Sequence, residues 1–209
     1  MYPEQNGPVP PPQTQYPIDY LNQIAPQDKK PGMDNKKFLL FVGGGLLLAI
    51  IVGVLAFSSG GGGPTEKMET LAARLKTLQS ISSKAQTNIK SSSLRSTNSS
   101  LTLLLTNANR DIADPLETNG VNVLKLDKKI VAKEDGKAVS DKLEDARLNA
   151  VFDRTYAREM SYQLDTVKAL MKDIYSKTKS KSLKTFLDST NNNLSPINKQ
   201  LEKFNAANG

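Results

Sequence analysis

The chain has 209 residues, a formal net charge of +7, and no cysteine, histidine or tryptophan. Without Cys and His it can form no disulfide, no thiol nucleophile, no Cys/His zinc site and no histidine-based triad. No catalytic constellation and no cofactor site is predicted, and an enzyme is not expected.

Residues 1–37 hold eight of the eleven prolines, so this tail cannot bury enough apolar surface to offset its ordering entropy. Disorder with polyproline II character is expected. Within it, Ile18, Leu21 and Ile24 fall three residues apart with Tyr20 beside them. One helical turn between Pro17 and Pro26 would present the four as a docking motif; an unused apolar patch fits them equally well. The stretch resembles the tails of small single-span proteins of candidate-phylum bacteria.

Phe38 to Phe57 is a run of 20 residues without charge. As a helix it would be about 30 Å long, the hydrocarbon thickness of a bilayer. Gly43, Gly44 and Gly45 argue against a buried helix of a water-soluble domain, whereas membrane helices tolerate glycine. Lys29, Lys30, Lys36 and Lys37 precede the run, so the N-terminus is expected in the cytoplasm and the C-terminal part outside. Val54 and Ala56 would suit a signal-peptide cleavage site, but 37 residues precede the run, and an uncleaved signal-anchor is expected. Gly45, Ala49 and Gly53 share one helix face and would let two spans approach closely, giving a homo-oligomer. Small residues are also simply common in spans, and that reading is favoured.

Ser58 to Gly63, SSGGGG, reads as a flexible linker with a mean reach of about 13 Å. The rest, 65–209, reads as one domain with four helical patterns. The first runs from Thr65, a candidate N-cap, to about Lys90, with Met68, Leu71, Leu75, Leu78, Ala85 and Ile89 inward. The second runs from about Leu94 to Asp114, ended by Pro115. The third runs from Ser140, another candidate N-cap, to about Lys177, with a break at Asn149 in the left-handed conformation. The fourth runs from Ser182 to about Asn205, with Pro196 kinking or interrupting it. Between the second and third lie Pro115 to Val139, where Asn119-Gly120 and Asp135-Gly136 signal turns and Val121, Val123, Ile130 and Val131 suggest a small hairpin. Neighbouring bundle helices need only two to eight linking residues or so. The longer connection predicts a crossover, as in ferritin-like four-helix folds.

Phe152-Asp153-Arg154-Thr155-Tyr156, a basic turn, Leu183 to Phe186, and Leu194-Ser-Pro-Ile197 with Leu201 carry a family likeness. Residues 140–205 resemble the ferritin-like four-helix domain of unknown function found in exported bacterial proteins. In that family a His commonly follows the F-D-x-x-Y motif and another lies in the fourth helix. Leu164 and Gln200 stand at those positions here, which puts any metal role the resemblance implies in doubt.

Di-metal bundles need inward Glu-x-x-His pairs. Asp153, Glu159 and Asp165, and separately Asp111 and Asp114, lack the loop spacing of a calcium site and read as a solvated helix face. Asp153 is expected to make a structural hydrogen bond. All the excess positive charge lies beyond the linker, densest around Lys168, Lys172, Lys177, Lys179, Lys181 and Lys184. Such a surface attracts anionic lipid or wall polymer. No nucleic-acid module is present, and a solubilising role explains the lysines as well. The expectation is an all-α, single-pass envelope protein whose outer four-helix bundle binds or scaffolds an envelope partner. The alternative is a ferritin-like metal-handling or oxidoreductase domain that has lost its ligands. A crossover would place the turn bearing Lys177, Lys179, Lys181 and Lys184 beside the membrane.

Overall fold

The computed structural model describes residues 63–208. The span 38–57, its Gly45/Ala49/Gly53 face and the tail motif at Ile18, Tyr20, Leu21 and Ile24 lie outside the described residues. Among the described residues the structure is all helical, with α1 Pro64–Ala85, α2 Ser92–Asp111, α3 Ala113–Glu117, α4 Lys128–Lys133, α5 Lys137–Leu148, α6 Phe152–Lys177 and α7 Lys181–Asn208. No helix among them is long and apolar enough to cross a membrane.

Four long helices, α1, α2, α6 and α7, enclose one core. Leu71, Leu75, Leu101, Leu105, Tyr156, Met160, Leu164, Leu183, Leu194 and Leu201 are buried in it, as are Met68, Ala85, Ile89 and Phe152. Apolar residues recurring every three to four positions set these faces. The starts of α1, α2 and α7 follow from local chemistry. Pro64 opens α1 behind Gly63, because its missing N–H is one the first turn would leave unpaired. Ser91 Oγ accepts from Leu94 N at 3.4 Å to cap α2. Ser180 Oγ accepts from Leu183 N at 3.3 Å to cap α7.

Polar pairs fix the direction of each helix. Lys67, near the start of α1, reaches Asp173, near the end of α6, at 2.7 Å. Lys90 N and Ser91 N, beyond the end of α1, donate to Asp153, in the first turn of α6. These helices are therefore antiparallel. So are α1 and α2, since Ser82 pairs with Asn98 and Leu75 O accepts from Asn109. It follows that α2 and α6 run the same way. Ser161 on α6 donates to Asn198 on α7, and Thr97 on α2 donates to Gln200, so α7 opposes both. Around the bundle α1 lies beside α2 and α6, and α7 lies beside α2 and α6.

A crossover of residues 112–151 joins the parallel pair, with α4 packed on α1 and α5 on α6. Arg74 on α1 donates two hydrogen bonds of 2.8 Å to the Glu134 carboxylate, and Thr77 Oγ1 donates to the Glu134 carbonyl. Gly136 has a left-handed φ of 70° and lies so close to α1 that a Cβ there would stand 2.5 Å from Thr77 Cγ2.

Several expected boundaries are corrected. The first helix starts at Pro64 behind Gly63, so Thr65 is not its cap, and it ends at Ala85 rather than Lys90. Pro115 does not end the second helix. That helix stops at Asp111, and Pro115 sits in the first turn of α3, where it displaces no ladder hydrogen bond. The hairpin is absent: Ile130 and Val131 belong to α4, which Asp127 caps by accepting from Lys129 N at 2.7 Å. Ser140 lies inside α5, whose N-cap is Gly136. The break after α5 does come at Asn149, but the left-handed residue is Ala150, with φ 57°. Val151 N bonds Ala146 O and Ala150 N bonds Arg147 O. This is a Schellman ending with alanine in the place glycine usually fills. Helix α7 continues through Pro196.

Candidate functional site

Four lysines gather at the end of the bundle where the chain enters. Gly63 and the start of α1 are there, and the Lys67–Asp173 pair brings the end of α6 to the same level. Thr178 to Ser180 then turn the chain into α7. Lys177, Lys179 and Lys181 are exposed on this turn and Lys184 is half-buried one turn on. The structure thus groups the four lysines singled out in the sequence. Lys177 and Lys67 share the Asp173 carboxylate. Lys177 first and then Lys67 hold that carboxyl below its ordinary range, and Asp173 in turn raises Lys67. The Lys184 ammonium lies 5.0 Å from the centre of the Tyr175 ring, a cation–π contact. Among the described residues, Lys179 and Lys181 have no carboxylate partner.

The other singled-out side chains do not converge. Asp153 ties the α1–α2 turn to α6, its carboxylate accepting from Ser91 N at 2.7 Å. Glu159 pairs with Lys142 at 3.2 Å and so fastens α5 to α6. Asp165 accepts from Asn198 Nδ2 at 2.8 Å. Asp111 pairs with its neighbour Arg110. Leu164 is in the core, whereas Gln200 is exposed and bonded to Thr97, so the two positions where the resembled family carries His do not face one site.

Two features escaped sequence reading. One is a polar knot inside the bundle. Asn98 Oδ1 accepts from Ser82 Oγ at 2.7 Å and from the Tyr156 hydroxyl, while Nδ2 donates to Ser82 O at 3.0 Å and to Gln86 Oε1. Every hydrogen-bonding position of this fully buried amide is used. Burial pushes the Tyr156 hydroxyl far above the usual tyrosine range. Asn98 sits at helical spacing from Leu94, Leu101 and Leu105, and that position was the available signal. The other feature is an open cavity of about 430 Å³ between α1 and α6, under the crossover, bounded by the Lys67–Asp173 and Arg74–Glu134 pairs. Nothing in the sequence marks it, because its walls come from α1, α6 and the α4–α5 part of the crossover, which are far apart in the chain.

No protein-family model, no curated protein and no solved structure matches the chain.

Proposed function

We propose that the chain is a single-span envelope protein whose helical bundle stands outside the cell, tethered by the Gly-rich linker, and binds or scaffolds an envelope partner without catalysis. One observation carries the reading: the exposed lysine turn between α6 and α7 lies at the same end of the bundle as Gly63, where the tether enters. Residues 38–57 would anchor that end and hold the turn beside anionic headgroups.

The ferritin-like likeness belongs to the same proposal. Antiparallel α1 and α2, parallel α2 and α6, and one long connection between them match the ferritin-like pattern of helix directions. The interior positions of the four long helices carry leucines, methionines and the Asn98–Tyr156 knot, which suits a structural bundle.

Protease added to intact cells tests the topology. Cutting in the linker after Ser58 should release the bundle and leave the tail protected. Cleavage seen only after lysis would overturn the proposal.

A further inference from the structure

The cavity between α1 and α6 has the size of a ligand site. Its volume of about 430 Å³ falls within the ~300–1,000 Å³ usual for small-ligand pockets. Two ion pairs border it, Lys67–Asp173 and Arg74–Glu134. Their α1 members, Lys67 and Arg74, are separated by a helix rise of about 10 Å. Each pair has balanced surroundings. Lys67 and Lys177 stand with Asp173 and Glu66 at one, and Arg74 and Lys133 with Glu134 and Asp135 at the other. Lys137, also in the wall, is bonded to Asp141. A ligand with net charge gains little from such a lining, whereas one with opposite charges at its two ends meets a complementary group at each.

The uncharged polar groups of the wall have spare hydrogen-bonding capacity. Thr70 and Gln163 are half-buried, and among the described residues neither side chain has a protein partner. Thr166 Oγ1 donates to Tyr162 O at 3.0 Å, which leaves its oxygen able to accept. Leu78, Val139 and Leu170 supply the apolar part of the wall.

From this lining we infer that the cavity binds a short zwitterionic peptide in extended form, about three residues long. Three extended residues span ~10 Å, which matches the separation of the two ion pairs along α1. The ligand's ammonium lies against the carboxylate of one pair and its carboxylate against the cation of the other. Its amides reach Gln163, Thr70 and Thr166, and its side chains lie on the apolar wall. A saccharide of similar size has no charged ends for the two pairs. The site lies within the bundle itself and does not depend on how the chain is anchored.

Isothermal titration calorimetry on the full-length chain in detergent micelles tests this, with trialanine as the probe. One-to-one binding is expected. Acetylating the amino end and amidating the carboxyl end should weaken it about tenfold or more, because both charge contacts are lost. Dialanine, too short to reach both pairs, should also bind more weakly. Gln163→Leu should weaken trialanine several-fold, and Ala169→Phe, which places a ring in the cavity, should abolish binding while thermal melting stays cooperative. Where the ring unfolds the chain, Gln163→Leu and the capped peptide still decide the matter. Absence of trialanine binding at millimolar concentration would overturn the inference. So would equal affinity for the capped and free peptides, undiminished binding to a folded Ala169→Phe chain, or binding of chitobiose where trialanine does not bind.

Discussion

Breaking the Arg74–Glu134 pair should loosen the crossover while leaving the four long helices standing. The pair joins α1 to the segment after α4 by two hydrogen bonds of 2.8 Å, and both side chains are 9% exposed. Removing one partner of a buried ion pair strands the other charge, at a cost of about 3–5 kcal/mol. Here the pair lines an open cavity, so water reaches the survivor and about 3 kcal/mol is expected for Glu134→Ala. For a domain of this size that corresponds to a fall in Tm of about 6–12 °C. Thr77 still donates to the residue 134 carbonyl, so the segment keeps one tie. Replacing both partners, as in Arg74→Met with Glu134→Leu, removes the stranded charge, and the double variant should be far closer to the parent than the sum of the singles. Urea unfolding gives the energies, and hydrogen exchange over residues 128–137 gives the location. Two single variants each within about 0.5 kcal/mol of the parent, the range of ordinary surface changes, would refute the assignment of this pair as the crossover's clasp.

Ala150→Gly should stabilise the bundle by up to about 1 kcal/mol, read as a raised urea midpoint, because glycine removes the strain of a left-handed alanine. Asn98→Ala should cost more than Tyr156→Phe in the same assay. The first takes away the acceptor of the buried Tyr156 hydroxyl, at about 1–3 kcal/mol for an unsatisfied group, while Ser82 keeps Thr102; the second leaves Asn98 Oδ1 still bonded to Ser82. For Asp173, whose carboxyl is held low by Lys177 and Lys67, stability is at full strength above about pH 4, the ordinary aspartate value, and is lost as pH falls through the lower folded value. Thermal melts from neutral to acid should show Asp173→Asn closing part of the gap to the parent as the pH drops.

The helical faces were legible because burial leaves a period in the sequence: Leu71, Leu75 and Leu78, or Tyr156, Met160 and Leu164, need no tertiary knowledge to be placed inward. The crossover was legible too, from the length of the connection, but the elements inside it were not. Val121 to Val131 alternates like a strand over too few residues to decide, and Asp127 turns part of it into a helix by capping. The left-handed residue went to Ala150 because helix geometry fixes which position must turn, and the two Schellman hydrogen bonds outweigh the side-chain preference that favoured Asn149. The lysine turn was legible as charge, and its place followed from the sequence only if the long connection was a crossover. The pairings of Lys67 with Asp173 at one end of α6, and of Asp153 with Lys90 N and Ser91 N at the other, show which end of the bundle it occupies.

That placement depends on the crossover. Had α2 turned back directly into α6, those two helices would be antiparallel and the α6–α7 turn would lie at the far end with Ser91. Running them parallel forces the chain to travel the length of a helix, about 39 Å for the 26 residues of α6. It does so through α4 and α5, which must be clasped to α1 and α6 by Arg74–Glu134, the close contact at Gly136 and Lys142–Glu159. In exchange, two connections, α2 to α3 and α6 to α7, gather at the end where α1 begins, leaving the α1–α2 turn at the other end under Asp153. The first of these connections is acidic and the second basic. With α2 and α6 parallel, the lysines of the second connection stand at the end where α1 begins; with α2 and α6 antiparallel the same residues would stand beside Ser91.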